Sequence, residues 1–189
     1  MKTTAVAAVI LGGVLTSPLA RGAGETEWQL AFRAGLGNVS FDGRKAWGLA
    51  TALEVDYGLS DAWGLRATLA GSFHPVDKTM VDGGPTLPGG TLRTMAALAG
   101  LTYTIDVLRL IPYGFFELGA IRFDGAVQRA KTVFAAELGI GADYFLTRRW
   151  TTGVSFQYLF APEDLLADPI NIGQSPFSFS ATWRVSRIF

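Results

Sequence analysis

Residues 47–57 read WGLATALEVDY, and a bulky or apolar side chain recurs at every second position of this stretch. Trp47, Leu49 and Leu53 fall on one side of an extended chain, whereas Glu54 and Asp56 fall on the other. An amphipathic helix would need apolar residues spaced by three and four positions, and this stretch does not offer that spacing. The period of two therefore predicts a β-strand with one apolar face and one polar face.

The same alternation recurs in seven further segments of the chain. They are residues 28–37, 63–73, 94–105, 112–123, 134–144, 150–160 and 177–189. A tilted strand needs roughly 9–11 residues to cross a bilayer, and each segment is at least about that long. In residues 112–123 the sequence does not fix which residues lie on the apolar face, because the two bulky residues Phe115 and Phe116 are adjacent. Placing Glu117 on the polar face sends Phe116 to the apolar face. The sequence thus predicts eight strands.

The connections between the predicted strands alternate in length. Long connections are expected at 38–46, 74–93, 124–133 and 161–176, and short ones at 58–62, 106–111 and 145–149. Bacterial outer-membrane barrels have short periplasmic turns and longer extracellular loops. We therefore expect an all-β fold, an eight-stranded antiparallel up-and-down transmembrane β-barrel with short periplasmic turns and longer extracellular loops.

Most of the Tyr and Trp residues lie at strand ends, beside short connections or chain ends. These residues favour the membrane–water interface because they join an apolar ring to a polar group that can hydrogen-bond. We therefore predict a girdle of aromatic side chains at the periplasmic interface. Its members are Trp28, Tyr57, Trp63, Tyr103, Tyr113, Tyr144 and Trp150.

The composition excludes several classes of protein. The chain has 189 residues, 49% hydrophobic and 17% charged, with a formal net charge of zero and no Cys. An average domain carries about 25% charged residues, so this chain is depleted in charge. These values exclude a disordered chain, a nucleic-acid binder that relies on bulk positive charge, and a disulfide or thiolate–metal scaffold.

The N-terminus has the three regions of a secretory signal peptide. Lys2 supplies a positive start, residues 5–15 (AVAAVILGGVL) are apolar, and the small residues Ala20 and Gly22 follow. The apolar run is well short of the roughly 20 residues that a spanning helix needs. We therefore expect a cleaved signal peptide at 1–22, an outer-membrane β-barrel domain at 23–189, and export to the bacterial outer membrane.

The number of charges on each strand face indicates which face points into the barrel. A soluble barrel of the lipocalin kind would be apolar inside and polar outside. Here the polar face has too few charges to solvate an exterior, and the apolar face would aggregate in water. We expect the apolar face to contact lipid and the polar face to line a hydrated lumen. An unpaired buried charge is costly, so we expect a lumen ion-pair network with a structural role. Its members are Arg33, Glu54, Asp56, Arg66, Glu117, Glu137, Asp143 and Arg184.

The strand pattern and the end of the chain resemble small outer-membrane β-barrel families. Residues 179–189 (FSATWRVSRIF) are similar to their C-terminal assembly signal, which ends in an aromatic residue, here Phe189, after alternate apolar positions. Arg187 interrupts the apolar face. The chain looks like the transmembrane domain of outer membrane protein A and the outer membrane protein W type. The resemblance implies delivery by periplasmic chaperones and insertion by the barrel-assembly machinery. The resemblance also allows a functional role, in which the charged residues of the lumen exchange ion-pair partners and thereby open a narrow water path, as a gate.

Three functions remain open at this point. The first is a structural or surface-interaction barrel without a wide pore, because an eight-stranded barrel has room only for side chains or one small ligand. The second, implied by the resemblance to the outer membrane protein W type, is a narrow channel or carrier for small hydrophobic compounds. The third is a lipid A-modifying enzyme using Ser72 and His74, which share a strand face.

We expect the chain not to be an enzyme, because the lone His74 lies at a strand end and has no predicted acidic partner to orient it. The residues suggest no catalytic, cofactor-binding or metal site and no cofactor. The expected partners are outer-membrane lipids and the assembly proteins, with no nucleic acid, and the oligomeric state stays undetermined.

Overall fold

Strands make up most of the residues that the structure describes. The computed structural model describes residues 26–41, 44–80, 86–87, 89–105, 109–126, 130–162 and 177–189. The strands are β1 (Trp28–Phe41), β2 (Arg44–Gly58), β3 (Trp63–Val76), β4 (Thr79–Met80), β5 (Thr86–Leu87), β6 (Gly90–Thr104), β7 (Leu110–Gly125), β8 (Lys131–Phe145), β9 (Trp150–Phe160) and β10 (Phe177–Ile188). The predicted signal peptide, residues 1–22, lies outside the described residues.

Eight of these strands close into one antiparallel barrel. The order around the barrel is β1-β10-β9-β8-β7-β6-β3-β2. Each strand pairs with the barrel strand that follows it in the chain, and β1 pairs with β10 to close the cylinder. The short strands β4 and β5 form a separate two-stranded sheet in the connection between β3 and β6. The predicted eight-stranded up-and-down barrel is confirmed.

The alternation in the sequence matches the two faces of the barrel wall. Leu49, Leu65 and Val154 are exposed on the outer wall, whereas Glu54 and Arg66 are buried inside. Successive side chains of a strand point to opposite faces, so the bulky residues form an apolar outer surface. No described helix is long and apolar enough to cross a membrane.

The barrel strands extend further than the sequence pattern predicts. The β1–β2 pairing continues to Phe41↔Arg44, which leaves only 42–43 as their connection. The β7–β8 pairing continues to Phe123↔Lys131. The predicted long connections at 38–46 and 124–133 are therefore wrong. Both strand pairs continue their ladders beyond the apolar band, with polar side chains such as Lys45 and Arg122 exposed. The longer connections are those at 77–89 and 161–176.

The barrel has two ends that differ in their aromatic content. The terminus end holds the start of β1 and the end of β10, where Phe189 N donates to Trp28 O at 2.8 Å, and the loop end lies near Val76 and Gly90. At the terminus end the rings of Trp28 and Tyr57 lie 4.7 Å apart, and those of Trp63 and Tyr103 lie 4.9 Å apart. Tyr144 and Trp150 are also exposed there.

Tyr113 does not belong to this girdle. Its side chain is buried in the lumen and only 7% exposed. Because Glu117 points inward and side chains alternate along β7, every odd-numbered residue near it points inward as well. The strand phase therefore overrides the preference of tyrosine for the membrane interface.

The lumen divides into a half that holds an apolar cluster and an ionic half. Toward the loop end the interior is filled by a packed apolar cluster of Val39, Ala46, Leu92, Ala96, Leu98, Ile121, Phe123, Ala135 and Leu159. The expectation of a polar, hydrated lumen is wrong for this half. The reason is that β6 and β7 carry apolar residues on both faces at these positions, as Leu98 and Ile121 show. The charged side chains of the lumen concentrate nearer the terminus end, whereas Ser72, His74 and Thr94 are polar side chains buried in the loop-end half.

Candidate functional site

The structure places all eight residues of the predicted charge network inside the barrel. None of the eight side chains reaches the outer wall, and every one is buried. They come from six of the eight barrel strands and include three arginines and five carboxylates. The members, in chain order, are Arg33, Glu54, Asp56, Arg66, Glu117, Glu137, Asp143 and Arg184.

Arg184 is the side chain with the most carboxylate partners in this group. Its Nε donates to Glu54 Oε2 at 2.7 Å and its Nη2 donates to Asp56 Oδ2 at 2.8 Å. Its Nη1 donates to Asp143 Oδ2. The guanidinium fork presents several donors in one plane, which suits simultaneous contact with several carboxylates. Arg184 thus joins carboxylates from β2 and β8 across the lumen.

Glu54 is the carboxylate with the most arginine partners in this group. It lies 2.6 Å from Arg33 Nε and 3.9 Å from Arg66 Nη1, in addition to its bond with Arg184. Arg66 Nε also donates to Asp56 Oδ1 at 2.6 Å, and Arg33 Nη2 lies 3.4 Å from Glu137 Oε1. These contacts make one connected set. We call it the ion-pair layer, consisting of Arg33, Glu54, Asp56, Arg66, Glu137, Asp143 and Arg184.

Two aromatic rings complete the ion-pair layer, and the sequence pattern alone assigned neither of them to it. The Arg66 guanidinium carbon lies 4.6 Å from the ring centroid of Phe115 and 5.2 Å from that of Tyr113. Arg184 faces Tyr113 at 5.4 Å, and Arg33 faces Phe115 at 5.6 Å. A cation over an aromatic face is attracted by the ring quadrupole, more strongly where water is excluded. The rings therefore fill the lumen and stabilise the arginines together.

Two glycines on β8 make room for these rings. Tyr113 is opposite Gly141 and Phe115 is opposite Gly139 in the β7–β8 register. A Cβ added at Gly139 would lie 2.2 Å from Phe115 Cζ, and one added at Gly141 would lie 2.5 Å from Tyr113 Cζ. A side chain at either position would therefore displace the facing ring. The sequence did contain a signal for these large side chains on β7. Gly139 and Gly141 were both predicted to lie on the lumen face of the neighbouring strand, where they leave space for large residues opposite.

Glu117 is the one predicted member that forms no ion pair with the residues that the structure describes. Its Oε2 accepts a hydrogen bond from Thr68 Oγ1 at 3.0 Å, and its Oε1 has no hydrogen-bond partner among the described residues. It stands directly opposite Glu137 in the β7–β8 register. Like charges directly opposite each other destabilise a sheet. Glu117 therefore adds a carboxylate that the three arginines do not offset.

We expect Glu117→Gln to raise the unfolding free energy or leave it unchanged, because it removes a like charge facing Glu137 and keeps an acceptor for Thr68. Urea unfolding in lipid vesicles measures this change. The matched control is Glu137→Gln, a carboxylate of the same type with an arginine partner, which should lower stability. A larger loss for Glu117→Gln than for Glu137→Gln would contradict the assignment.

Two small cavities lie on either side of the ion-pair layer. One, of about 30 Å³, opens toward the terminus end and is lined partly by Tyr113 and Asp143. The other, of about 50 Å³, lies toward the loop end and is lined partly by Ser72 and Gln157. The two cavities share no lining residue. A water needs roughly 10–15 Å³ by this measure, so each cavity holds a few waters at most.

Comparison with known proteins agrees with this architecture. The family description for the outer membrane protein β-barrel domain matches residues 5–184. The chain belongs to that family. It is an outer-membrane β-barrel protein, so the apolar outer wall is the surface that faces lipid. A search of curated protein sequences finds no match.

Several solved outer-membrane barrels share the fold of this protein. Neisserial surface protein A aligns with a TM-score of 0.62 and 16% identity, covering 86% of this chain and 99% of its own. The outer membrane protein OprG from Pseudomonas aeruginosa gives 0.57 and 14%, covering 88% and 98%. Ail, the attachment invasion locus protein of Yersinia pestis, gives 0.55 and 15%, covering 87% and 99%. These identities show the shared fold.

Ser72 and His74 of this outer-membrane barrel lie inside the lumen. His74 Nε2 is 2.7 Å from Ser72 Oγ, which is itself 2.5 Å from Thr94 Oγ1. His74 is completely buried, and the cavity beside Ser72 measures about 50 Å³. Gly48 provides the space, since a Cβ there would lie 2.7 Å from His74 Nδ1. The described contacts are those of a buried hydrogen-bond chain that links β3 to β6.

Proposed function

We propose that this outer-membrane barrel is a closed scaffold with a structural or surface-interaction role and no wide pore. The observation that carries the proposal is the ion-pair layer, which crosses the lumen between two cavities that have no lining residue in common. Glu54 alone contacts arginines on three different strands, β1, β3 and β10. Opening a path would require breaking several buried ion pairs at once, and leaving one such charge unpaired is costly.

The proposal predicts that the protein forms no conducting channel. Purified full-length protein in planar bilayers should show no single-channel steps over a wide range of voltages, because the ion-pair layer lies across the lumen between the two cavities. A channel-forming porin added to the same bilayer serves as the control that pores are detected. Reproducible conductance steps from the wild-type protein would contradict the closed scaffold and favour a gate.

The surface role that we propose is assigned to the loop end. Its longer connections, 77–89 and 161–176, join barrel strands that are themselves held rigidly by pairing, and binding residues are often placed on loops over such a scaffold. A protein of the same fold is named the attachment invasion locus protein. That name supports a surface role for this fold.

A second candidate function is a carrier for small hydrophobic compounds. The apolar cluster at the loop-end half of the lumen favours it, since a hydrophobic molecule arriving there would meet Val39, Leu92 and Phe123. The cluster is packed, so the compound would have to displace side chains. Flux of a hydrophobic reporter into vesicles separates the two candidates. A flux above that of protein-free vesicles favours the carrier.

We further propose that the first 22 residues act as a cleaved export signal and that Phe189 contributes to an assembly signal. The outward, 63% exposed ring of Phe189, directly after the end of β10, supports the second part. Periplasmic chaperones and the barrel-assembly machinery are the partners that this route requires. Outer-membrane lipids are the partners of the finished barrel. In this proposal the barrel is not an enzyme.

A further inference from the structure

Arg187 occupies an unusual place on the outer wall. It follows Trp183 and Val185 on the lipid-facing side of β10, where the alternation would place another apolar residue, and it is exposed. Its guanidinium carbon lies 4.8 Å from the ring centroid of Phe189 and 5.7 Å from that of Trp150. The two rings hold the charge at the level of the aromatic girdle. Headgroups of membrane lipids lie at this level.

Three more exposed arginines lie in the connections at the same end of the barrel. Arg148 and Arg149 lie in the connection 146–149, directly before Trp150, which pairs with Arg187 across β9 and β10. Ile188 N donates to Arg149 O at 2.8 Å, so the two backbones are in direct contact. Arg109 lies on the neighbouring connection, where its carbonyl accepts from Phe145 N at 3.0 Å. We call these four residues the arginine cluster.

The arginine cluster has no carboxylate partner among the residues that the structure describes. The described ion pairs join only lumen residues and the pair Arg122–Asp124 at the loop end. The exposed acidic residues described at the terminus end are Glu27, whose carbonyl accepts from Gly58 N, and Asp61 between β2 and β3. Both belong to the β1–β3 side of the barrel, whereas the arginine cluster belongs to the β7–β10 side.

From this placement we propose that the arginine cluster binds the phosphate of an anionic phospholipid, with phosphatidylglycerol as the representative, in the leaflet at the terminus end. Guanidinium groups bind phosphate oxygens through paired, charge-assisted hydrogen bonds. Basic residues at a membrane surface attract anionic lipids. Arg187 is suited to this role because its stacking on two rings fixes the guanidinium on the lipid-facing side. The acyl chains of the same lipid would then lie along the apolar outer wall. The inference does not depend on the proposed function.

Native mass spectrometry of the full-length protein, titrated in detergent with phosphatidylglycerol or phosphatidylcholine, tests the proposal by counting individual bound lipids. The wild type should bind its first phosphatidylglycerol more tightly than its first phosphatidylcholine. Arg187→Gln and Arg149→Gln should each weaken phosphatidylglycerol binding by about fivefold and leave phosphatidylcholine binding unchanged. Excess inorganic phosphate should not displace the lipid, because the acyl chains contribute to binding.

The matched control is Arg122→Gln, an exposed arginine on the outer wall that already has Asp124 at 3.6 Å. It should change phosphatidylglycerol binding little. Heat-dependent gel migration confirms that each variant is folded, and Arg149→Gln alone provides the test if Arg187→Gln does not fold. Equal affinity for the two lipids, displacement by inorganic phosphate, or an equal loss in the Arg122→Gln control would each overturn the proposal.

Discussion

Replacing Arg184 with methionine should lower the unfolding free energy by about 3–5 kcal/mol, which is the usual cost of removing one partner from a buried ion-pair network. The guanidinium donates to Glu54, Asp56 and Asp143, and all three carboxylates are buried. Without it, Asp143 loses its ion-pair partner and a hydrogen-bonded charge is left uncompensated in the lumen. Urea unfolding in phosphatidylcholine vesicles measures the loss.

The control for Arg184→Met is Arg187→Met on the same strand. Arg187 is exposed on the outer wall and has no ion pair among the described residues, so its replacement should change the unfolding free energy by about 0.5 kcal/mol or less in a neutral lipid. Similar losses of unfolding free energy in the two variants would show that Arg184 stabilises the barrel no more than an exposed arginine does. The stabilising role of the ion-pair layer would then be contradicted.

Replacing Leu69 with arginine should cost about 2–4 kcal/mol, the range for an arginine on the lipid face of a barrel near the middle of the bilayer. Leu69 lies between Trp63 and Phe73 on β3 and is 65% exposed on the outer wall. Its cross-strand neighbours are Leu53 and Ala97, which offer a charge no partner. The cost arises because the guanidinium must enter hydrocarbon or deform the bilayer.

Leu69→Ala separates the effect of the charge from the loss of the leucine side chain. It should cost less than the arginine variant, since it introduces no charge into hydrocarbon. Folding into vesicles, followed by urea unfolding, measures both variants under the same conditions. If Leu69→Arg were as stable as Leu69→Ala, the position would have to be in contact with water.

The faces of the strands could be predicted from the sequence, because the period of two fixes them once one residue is assigned. Choosing the phase of β7 from Glu117 alone correctly placed Phe116 and Leu118 outside. The same choice implied that Tyr113 points inward, but the girdle prediction kept it on the outside. In a strand, phase is a geometric constraint, whereas the interface preference of tyrosine is only a tendency.

The partners inside the lumen could not be predicted from the sequence. Arg184 on β10 meets Glu54 on β2, although β1 lies between these strands, and Arg33 on β1 reaches Glu137 on β8 across the barrel. Such contacts depend on the tilt and stagger of the closed cylinder, which local patterns do not contain. The lengths of the connections were misjudged for a different reason. Strand pairing that continues beyond the apolar band leaves no hydrophobic alternation in the sequence.

The central claim is that the bulky strand residues face lipid, and spin-label accessibility at single cysteines tests it most directly. The natural chain has no Cys, so Leu49→Cys, Leu65→Cys and Val154→Cys can each be labelled singly in lipid vesicles. Collisions with oxygen, which concentrates in hydrocarbon, are compared with collisions with a water-soluble paramagnetic reagent, and Lys78→Cys at the loop end serves as the aqueous reference. The account predicts that oxygen dominates at Leu49, Leu65 and Val154. Dominance of the water-soluble reagent at these three positions would contradict it.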